Sequence, residues 1–168
     1  MWTVEHRDEA KPAPSAAPLE AATRAASRPD AAPHFVLIED NPAESRLFER
    51  RMRERDSGAR ITVVRDGENA IDLLDQVVEG TVPRPDLLIL DLNLPVLKGW
   101  QVLRYVKRSP MLRFLKVVIL SSSKTEADVA RAARDGAASY VHKGRDLDDM
   151  LGAVDEIYDF WLGLGSAH

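Results

Sequence analysis

The sequence predicts an α/β protein in which helices cover both faces of one parallel β-sheet. From His34 onward, short apolar runs of strand length alternate with longer segments of helical period, five of each. The runs are apolar at almost every position rather than at every second one, which is typical of strands buried on both faces. At 168 residues the chain fits one ordinary domain. We therefore expect a doubly wound sheet of five strands with five helices.

The first strand and helix carry clear local signals. The run "HFVLI" predicts a buried strand, and the acidic pair Glu39 and Asp40 follows it directly. Asn41 then suits the N-cap of a helix, Pro42 its first position, and Glu44 completes a capping-box pattern. A helix is therefore expected to begin immediately after the acidic pair.

The remaining elements repeat this alternation. Strands are predicted over "RITVV", "LLIL", "KVVIL" and "SYVHK". Helices are predicted over "GENAIDLLDQVVEG", "GWQVLRYVKRS" and "TEADVARAARDG", and a last one begins at about Asp146. The second helix has one apolar face, formed by Ala70, Leu73, Leu74 and Val77.

Composition excludes several classes of protein. The formal net charge is -4, and phosphate-tracking nucleic-acid contacts need clustered Lys and Arg, so we expect no nucleic-acid partner. The chain has no Cys, which excludes disulfides and thiolate chemistry, and its four His lack metal-ligand spacing. No apolar run reaches the roughly 18 residues of a membrane span, and the N-terminus lacks an apolar signal core. We expect a cytoplasmic protein with no membrane partner.

Residues 1–33 differ from the rest of the chain because Ala and Pro dominate them. Leu19 is the one large aliphatic side chain in the Ala/Pro-rich part, so this stretch cannot bury enough surface to offset its ordering entropy. We predict a flexible N-terminal extension over 1–33, with room for a short helix over 19–27, and a folded domain over 34–168.

Polar side chains follow the predicted strands at the point where each ends. In an open α/β sheet, ligands bind beyond the carboxyl ends of the strands, where the strand order reverses. Three carboxylates close together would repel one another unless a hard cation lay among them, and oxygen ligands favour magnesium. The strand-end residues are Glu39, Asp40, Asp91, Ser121 and Lys143.

Four motifs resemble those of the receiver domain of two-component response regulators, over about residues 34–162. They are "IED" as the acidic pair, "LDLNLPVLKG" as the phosphoacceptor signature, "ILSS" as the strand that ends in Ser or Thr, and "YVHK" as the aromatic residue and the lysine. The intervals of 30 residues from Asp91 to Ser121 and 22 from Ser121 to Lys143 match that family's spacing. The resemblance implies a flavodoxin-like strand order of 2-1-3-4-5.

The resemblance also implies the acceptor and the metal ligands. Asp91 would take a phosphoryl group from the phosphohistidine of a partner kinase. Asp40 and Asp91 would hold Mg²⁺ directly, together with the main-chain carbonyl of Asn93. Glu39 would act through a bound water.

Three further residues would contact the phosphoryl group or respond to it, according to the same resemblance. Lys143 would pair with one phosphoryl oxygen and Ser121 would turn its hydroxyl towards another. Tyr140 would swing into the space that Ser121 leaves. Asn93 and Ser123 would flank the water that hydrolyses the aspartyl phosphate. The output surface would then lie near the fourth helix and the fifth strand.

The sequence departs from the receiver pattern in several places. Glu39 stands where Asp is common, Ser121 is smaller than the usual Thr, and Gly144 replaces a usual Pro, so the surface after Lys143 should be reshaped. The loop "EGTVPRPD" is longer than in compact receivers. This loop, "EDNPAESR", "GRDLDDM" and "YDFWL" resemble stand-alone receivers that pair with bacterial phytochromes. We expect a phytochrome-type kinase partner and signalling by binding without an attached output domain; the downstream partner stays open.

Other interpretations remain. A haloacid-dehalogenase-like phosphatase also uses a strand-end Asp nucleophile with Mg²⁺, but it needs a general acid two residues later, where this chain has Asn93. A receiver used only for interaction would require the loss of Asp91 or its neighbours, and none is lost. Single residues also have structural alternatives: Ser121 could cap the next helix, and Tyr140 could simply pack.

The last helix carries more apolar surface than one sheet face needs. Leu147, Leu151, Val154, Tyr158 and Leu162 form the stripe predicted to cover the sheet. A second stripe is formed by Met150, Ile157, Trp161 and Leu164, with Phe160 further round. Such a patch is typical of an interface, so we predict a two-fold homodimer through this helix with Phe160 and Trp161 as anchors. The alternative is that the N-terminal extension covers it.

Overall fold

The computed structural model describes residues 31–166 and contains all five predicted strands and all five predicted helices. The strands are β1 His34–Ile38, β2 Arg60–Val64, β3 Leu87–Leu90, β4 Val117–Ser121 and β5 Ser139–His142. The helices are α1 Pro42–Arg55, α2 Gly67–Glu79, α3 Gly99–Arg108, α4 Glu126–Arg134 and α5 Leu147–Gly165.

All five strands are parallel, in the order β2-β1-β3-β4-β5, which confirms the predicted topology. The chain runs from β1 outward to β2 and then returns to place β3 on the other side of β1. The strand order therefore reverses between β1 and β3, where Ile38 pairs with Leu90. The residues that follow these two strands are neighbours at the carboxyl edge of the sheet, which is where this fold places its ligand site.

Two apolar layers cover the sheet. Phe35 and Leu37 of β1 point into the layer shared with α1 and α5, whereas Val36 and Ile38 point into the layer shared with α2, α3 and α4. The central strands β3 and β4 alternate in the same way, and their apolar residues are buried on both faces. This explains why these strands read as continuous apolar runs.

The start of α1 differs in one detail from its prediction. Asn41 caps the helix as expected, since its side-chain oxygen accepts hydrogen bonds from the N–H groups of Ala43 and Glu44. Glu44 does not close a capping box, and that prediction was wrong. The N–H of Asn41 donates instead to the carboxylate of Glu39, at 3.0 Å, and the carboxylate of Glu44 pairs with Lys143.

The predicted sheet-facing stripe of α5 was wrong at its two ends, although Val154 at its centre is fully buried. Met150, Ala153, Val154 and Ile157 are its buried residues. Trp161 continues this face, and its ring packs edge to face on Phe35 with ring centroids 5.6 Å apart. The residues predicted to face the sheet at the two ends of the stripe are largely exposed: Leu147 at 58% and Leu162 at 49%.

Ion pairs connect one side of α5 to α1. Arg51 contacts Asp155 with two nitrogens, at 2.8 and 2.9 Å. Arg55 contacts Asp155 at 3.0 Å and Asp159 at 2.5 Å. The Asp155 and Asp159 side of α5 thus faces α1, whereas Met150 and Ile157 of the second apolar stripe are buried against the sheet.

Most of the extension predicted over 1–33 lies outside the described residues, which begin at residue 31. The short helix predicted over 19–27 lies outside them as well. Within the described range, none of the helices has both the length and the apolar character needed to cross a membrane.

Candidate functional site

The carboxyl edge of the sheet brings the predicted acidic residues together. Glu39 and Asp40 follow β1 and Asp91 follows β3, and one carboxylate oxygen from each lies within 4.8 Å of the others. Glu39 is 1% exposed and Asp91 is 4% exposed, whereas Asp40 is open to solvent. Two buried negative charges with one accessible carboxylate beside them require a nearby cation.

Lys143, which follows β5, supplies a positive charge to this cluster. Its ammonium nitrogen lies 2.5 Å from the Glu39 Oε2 and 3.3 Å from the Asp91 Oδ2, and it also pairs with Glu44. The structure thus brings the predicted lysine to the predicted acceptor. It adds Glu44, which the sequence did not indicate as a site residue because its cap position gave it another explanation.

Burial and charge shift two pKa values at this site. Burial raises the pKa of Glu39 to about 7, and the negative charge of Asp91 adds to the rise, although the hydrogen bond from Lys143 opposes it. Burial also lowers the pKa of Lys143, but the hydrogen bonds to Glu39 and Glu44 outweigh it, so this pKa lies above its ordinary value. Lys143 therefore stays cationic among the carboxylates.

The loop after β3 fixes the orientation of the Asp91 carboxylate. The N–H of Asn93 donates to the Asp91 Oδ1 at 3.1 Å, which leaves Oδ2 on the Lys143 side. Gly99 of the "LPVLKG" motif packs directly against this loop. A Cβ atom at Gly99 would lie 2.2 Å from the Asp91 carbonyl oxygen, so a side chain there would displace the loop. The motif glycine therefore has a steric role.

Ser121 and Tyr140 both contact the loop between β4 and α4. Ser121 is fully buried, and its hydroxyl accepts a hydrogen bond from the N–H of Ser123 at 3.1 Å. Thr125, not Ser121, caps α4, so the capping alternative for Ser121 was wrong. The half-buried Tyr140 donates its hydroxyl to the carbonyl of Ser123 at 2.9 Å. The side chains of Ser121 and Tyr140 thus both form hydrogen bonds with the backbone of this loop at Ser123.

The backbone after Lys143 has a conformation that suits glycine. Gly144 has a φ of 78°, and a Cβ atom there would lie 1.9 Å from the Cβ of Asp149. A proline ring fixes φ near -65°, so the usual Pro cannot occupy this position without a change of the loop. Glycine at residue 144 therefore permits a loop conformation that proline could not adopt.

The acidic cluster fits a divalent cation. Its donors are all oxygens, which suits a hard ion, and the exposed Asp40 leaves the cluster accessible from solvent. The described residues contain one such group of three metal-ligating side chains.

A parallel five-stranded sheet with acidic residues, a hydroxyl and a lysine at its carboxyl edge defines a receiver of two-component signalling. Residues 35–155 match the model of the response regulator receiver domain, and the chain belongs to this family. It is accordingly a signalling protein switched by phosphorylation. The family match favours this function over the phosphatase alternative.

Three relatives are similar over most of the chain. The probable methanogenesis regulatory protein FilR2 of Methanothrix harundinacea is 37% identical, over 77% of this chain and 83% of its own. Response regulator Rcp1 of Synechocystis is 37% identical, over 76% and 88%. The phosphorylated cyanobacterial phytochrome response regulator RcpA has a solved structure with a TM-score of 0.73 and 34% identity, and the match covers 79% of this chain and 95% of RcpA. Rcp1 has also been solved in an Mn²⁺-bound form, with a TM-score of 0.71, 35% identity and coverage of 77% and 94%.

Proposed function

We propose that Asp91 accepts a phosphoryl group from the phosphohistidine of a sensor histidine kinase. One observation carries the proposal: a buried carboxylate at the carboxyl end of the central strand β3 lies beside two further carboxylates and 3.3 Å from an ammonium. A carboxylate oxygen would attack phosphorus, the P–N bond of the phosphohistidine would break, and the imidazole would leave.

The residues around Asp91 have distinct roles in this proposal. Lys143 is close enough to pair with an oxygen of the transferred group, and its raised pKa keeps it charged. Ser121 supplies a buried hydroxyl on the neighbouring strand, which would donate to another phosphoryl oxygen. Charge that develops during the transfer is thus neutralised by groups that are already in place.

Asp40 and Asp91 would hold Mg²⁺ directly, with the main-chain carbonyl of Asn93. Glu39 suits an indirect contact, because Asn41 and Lys143 already occupy its two oxygens at 3.0 and 2.5 Å. When bound, Mg²⁺ would neutralise negative charge on the phosphoryl oxygens. The Mn²⁺-bound form of the similar Rcp1 supports binding of a divalent ion.

The output would be a change of surface around α4 and β5. Tyr140 is attached to the loop that follows Ser121, so a rearrangement of that loop would move the aromatic side chain. A downstream protein that binds this surface would read the change, with the receiver acting as a binding switch rather than as an enzyme. We propose a phytochrome-type kinase as the upstream partner, supported by the similarity to RcpA, and a cytoplasmic location for the transfer.

We further propose a homodimer through α5. Trp161, predicted as an anchor, has its ring engaged with Phe35, so Phe160 and the exposed Leu162 are better placed for contact with a second copy. Light scattering of wild type and of the double variant Phe160→Glu/Leu162→Glu tests this. A wild-type monomer at tens of micromolar, or a dimer that survives both substitutions, would exclude this interface.

Phosphotransfer tests the acceptor. Wild type, Asp91→Asn and the control Asp72→Asn, an exposed carboxylate on α2, are incubated with Mg²⁺ and radiolabelled histidine kinases, phytochrome-type kinases included. We expect label on wild type and on Asp72→Asn and none on Asp91→Asn. Equal labelling of Asp91→Asn would show that the acceptor lies elsewhere.

A further inference from the structure

The imidazole of His142 connects two loops at the carboxyl edge of the sheet. Its Nδ1 accepts a hydrogen bond from the N–H of Gly144 at 2.9 Å, and its Nε2 lies 3.0 Å from the carbonyl oxygen of Ser122. A backbone N–H can only donate and a carbonyl oxygen can only accept. The neutral ring with its proton on Nε2 therefore satisfies both contacts at once, and one tautomer is selected.

The two ends of this bridge adjoin the two groups assigned to the phosphoryl oxygens. Ser122 follows Ser121 directly, and Gly144 follows Lys143 directly. The N–H of Lys143 donates to the carbonyl of Ser121 at 2.9 Å, which is the last backbone bond between these strands. Beyond that bond, the His142 ring makes the next contact, with the carbonyl of Ser122.

The bridge depends on the glycine that replaces the usual proline. Proline has no N–H, so the hydrogen bond to the His142 ring needs a residue other than proline at position 144, and the φ of 78° there suits glycine. Tyr140, two residues earlier on the same face of β5, donates to the carbonyl of Ser123 at 2.9 Å. β5 thus holds two consecutive carbonyls of the β4–α4 loop, one through each side chain.

We propose that His142 is a positioning residue of the phosphorylation site, which fixes the loop of Ser121 against the loop of Lys143. This rests on the roles proposed above for those two residues. A hydroxyl and an ammonium stabilise the transferred group only when both are held in place. Loss of both hydrogen bonds of the bridge is expected to slow phosphorylation about tenfold.

Three variants distinguish the contributions of the two His142 hydrogen bonds. His142→Val removes both contacts. His142→Asn keeps an oxygen near the position of Nδ1 and can still accept from Gly144, whereas His142→Gln carries an amide nitrogen near the position of Nε2 that can donate to Ser122. The full chain is phosphorylated with acetyl phosphate at saturating Mg²⁺, and the rate constant of phosphorylation is measured as a function of acetyl phosphate concentration, along with Mg²⁺ affinity.

We expect the maximal rate constant of phosphorylation to fall about tenfold in His142→Val, with the half-saturating acetyl phosphate concentration and Mg²⁺ affinity unchanged, and to fall less in the Asn and Gln variants. A wild-type rate constant of phosphorylation in His142→Val would overturn the proposal. So would a matching loss of Mg²⁺ affinity, or Asn and Gln variants no better than Val, since these indicate general damage to the fold.

Nitrogen NMR of the wild-type imidazole gives a readout that does not need phosphotransfer. We expect the neutral Nε2–H tautomer at His142, with protection of the Gly144 amide from hydrogen exchange. A ring protonated on Nδ1, or an unprotected Gly144 amide, would overturn the bridge even if wild type is phosphorylated. Wild type that shows the bridge but takes no phosphoryl group would refute the proposed function and the positioning role with it.

Discussion

Replacing Lys143 with methionine is expected to destabilise the chain strongly in the absence of metal. The ammonium lies 2.5 Å from Glu39 and 3.3 Å from Asp91, and both carboxylates are buried. Methionine has a similar length and no charge. The substitution therefore leaves two buried acidic groups close together without their cation.

The contacts set the size of this effect. Removing one partner of a buried ion pair costs about 3–5 kcal/mol. The lower end applies here, because burial already raises the pKa of Glu39 to about 7 and the group can bind a proton rather than stay charged. We expect a loss of about 3 kcal/mol in the free energy of unfolding. Mg²⁺ at a hundredfold excess over its Kd should raise the free energy of unfolding of the variant by about 2.7 kcal/mol above its value in EDTA.

Urea unfolding with Mg²⁺ and with EDTA measures both quantities. Lys116→Met, at an exposed lysine before β4, is the matched control and should unfold like wild type under both conditions. If Lys143→Met is as stable as Lys116→Met in EDTA, Lys143 does not balance the acidic cluster and the electrostatic account of the site is incorrect.

Three further predictions concern the metal, the acceptor loop and pH. Asp40→Ala should lose the rise in melting temperature that Mg²⁺ gives wild type, and an equal rise would count against a metal role for Asp40. Gly99→Ala places a Cβ atom 2.2 Å from the Asp91 carbonyl oxygen, so it should lower the free energy of unfolding by about 2 kcal/mol and slow phosphorylation. The control Gly152→Ala, in open space on α5, should leave phosphorylation unchanged and keep or raise stability. Burial, together with the charge of Arg60, holds the pKa of His34 below 6.5. Because the unfolded chain then binds more protons than the folded chain, the free energy of unfolding should fall as the pH drops below 6.5. His34→Gln should flatten that slope in urea unfolding at several pH values; an unchanged slope would assign it to other groups.

The strand ends and their chemistry were predictable from the sequence because parallel strands buried on both faces leave long apolar runs. Each run stops where polarity is needed, so Asp91 and Lys143 stand out against their neighbours. Because parallel strands end at the same edge of a sheet, these residues were expected to lie close together. In the structure, the Lys143 ammonium lies 3.3 Å from the Asp91 carboxylate.

Other features were not predictable because two local explanations competed. The helical wheel of α5 offered two apolar stripes, and packing on the sheet buries residues of both, Val154 of the first and Met150 and Ile157 of the second. Glu44 fitted a capping box, but Lys143 attracts its carboxylate across the sheet edge. His142 carried no motif signal, since its bridge depends on the loop conformation at Gly144. Tertiary contacts and backbone shape, rather than local pattern, determine these three.

Mapping the phosphorylated residue in wild type tests the central claim most directly. The chain is phosphorylated in the presence of Mg²⁺, the acyl phosphate is reduced with borohydride, and tandem mass spectrometry locates the homoserine that replaces the modified aspartate. We predict homoserine at residue 91 alone, with Asp40 unmodified. Homoserine at residue 40, or phosphate retained on a serine such as Ser121 with Asp91 unchanged, would contradict the assignment of Asp91 as the acceptor.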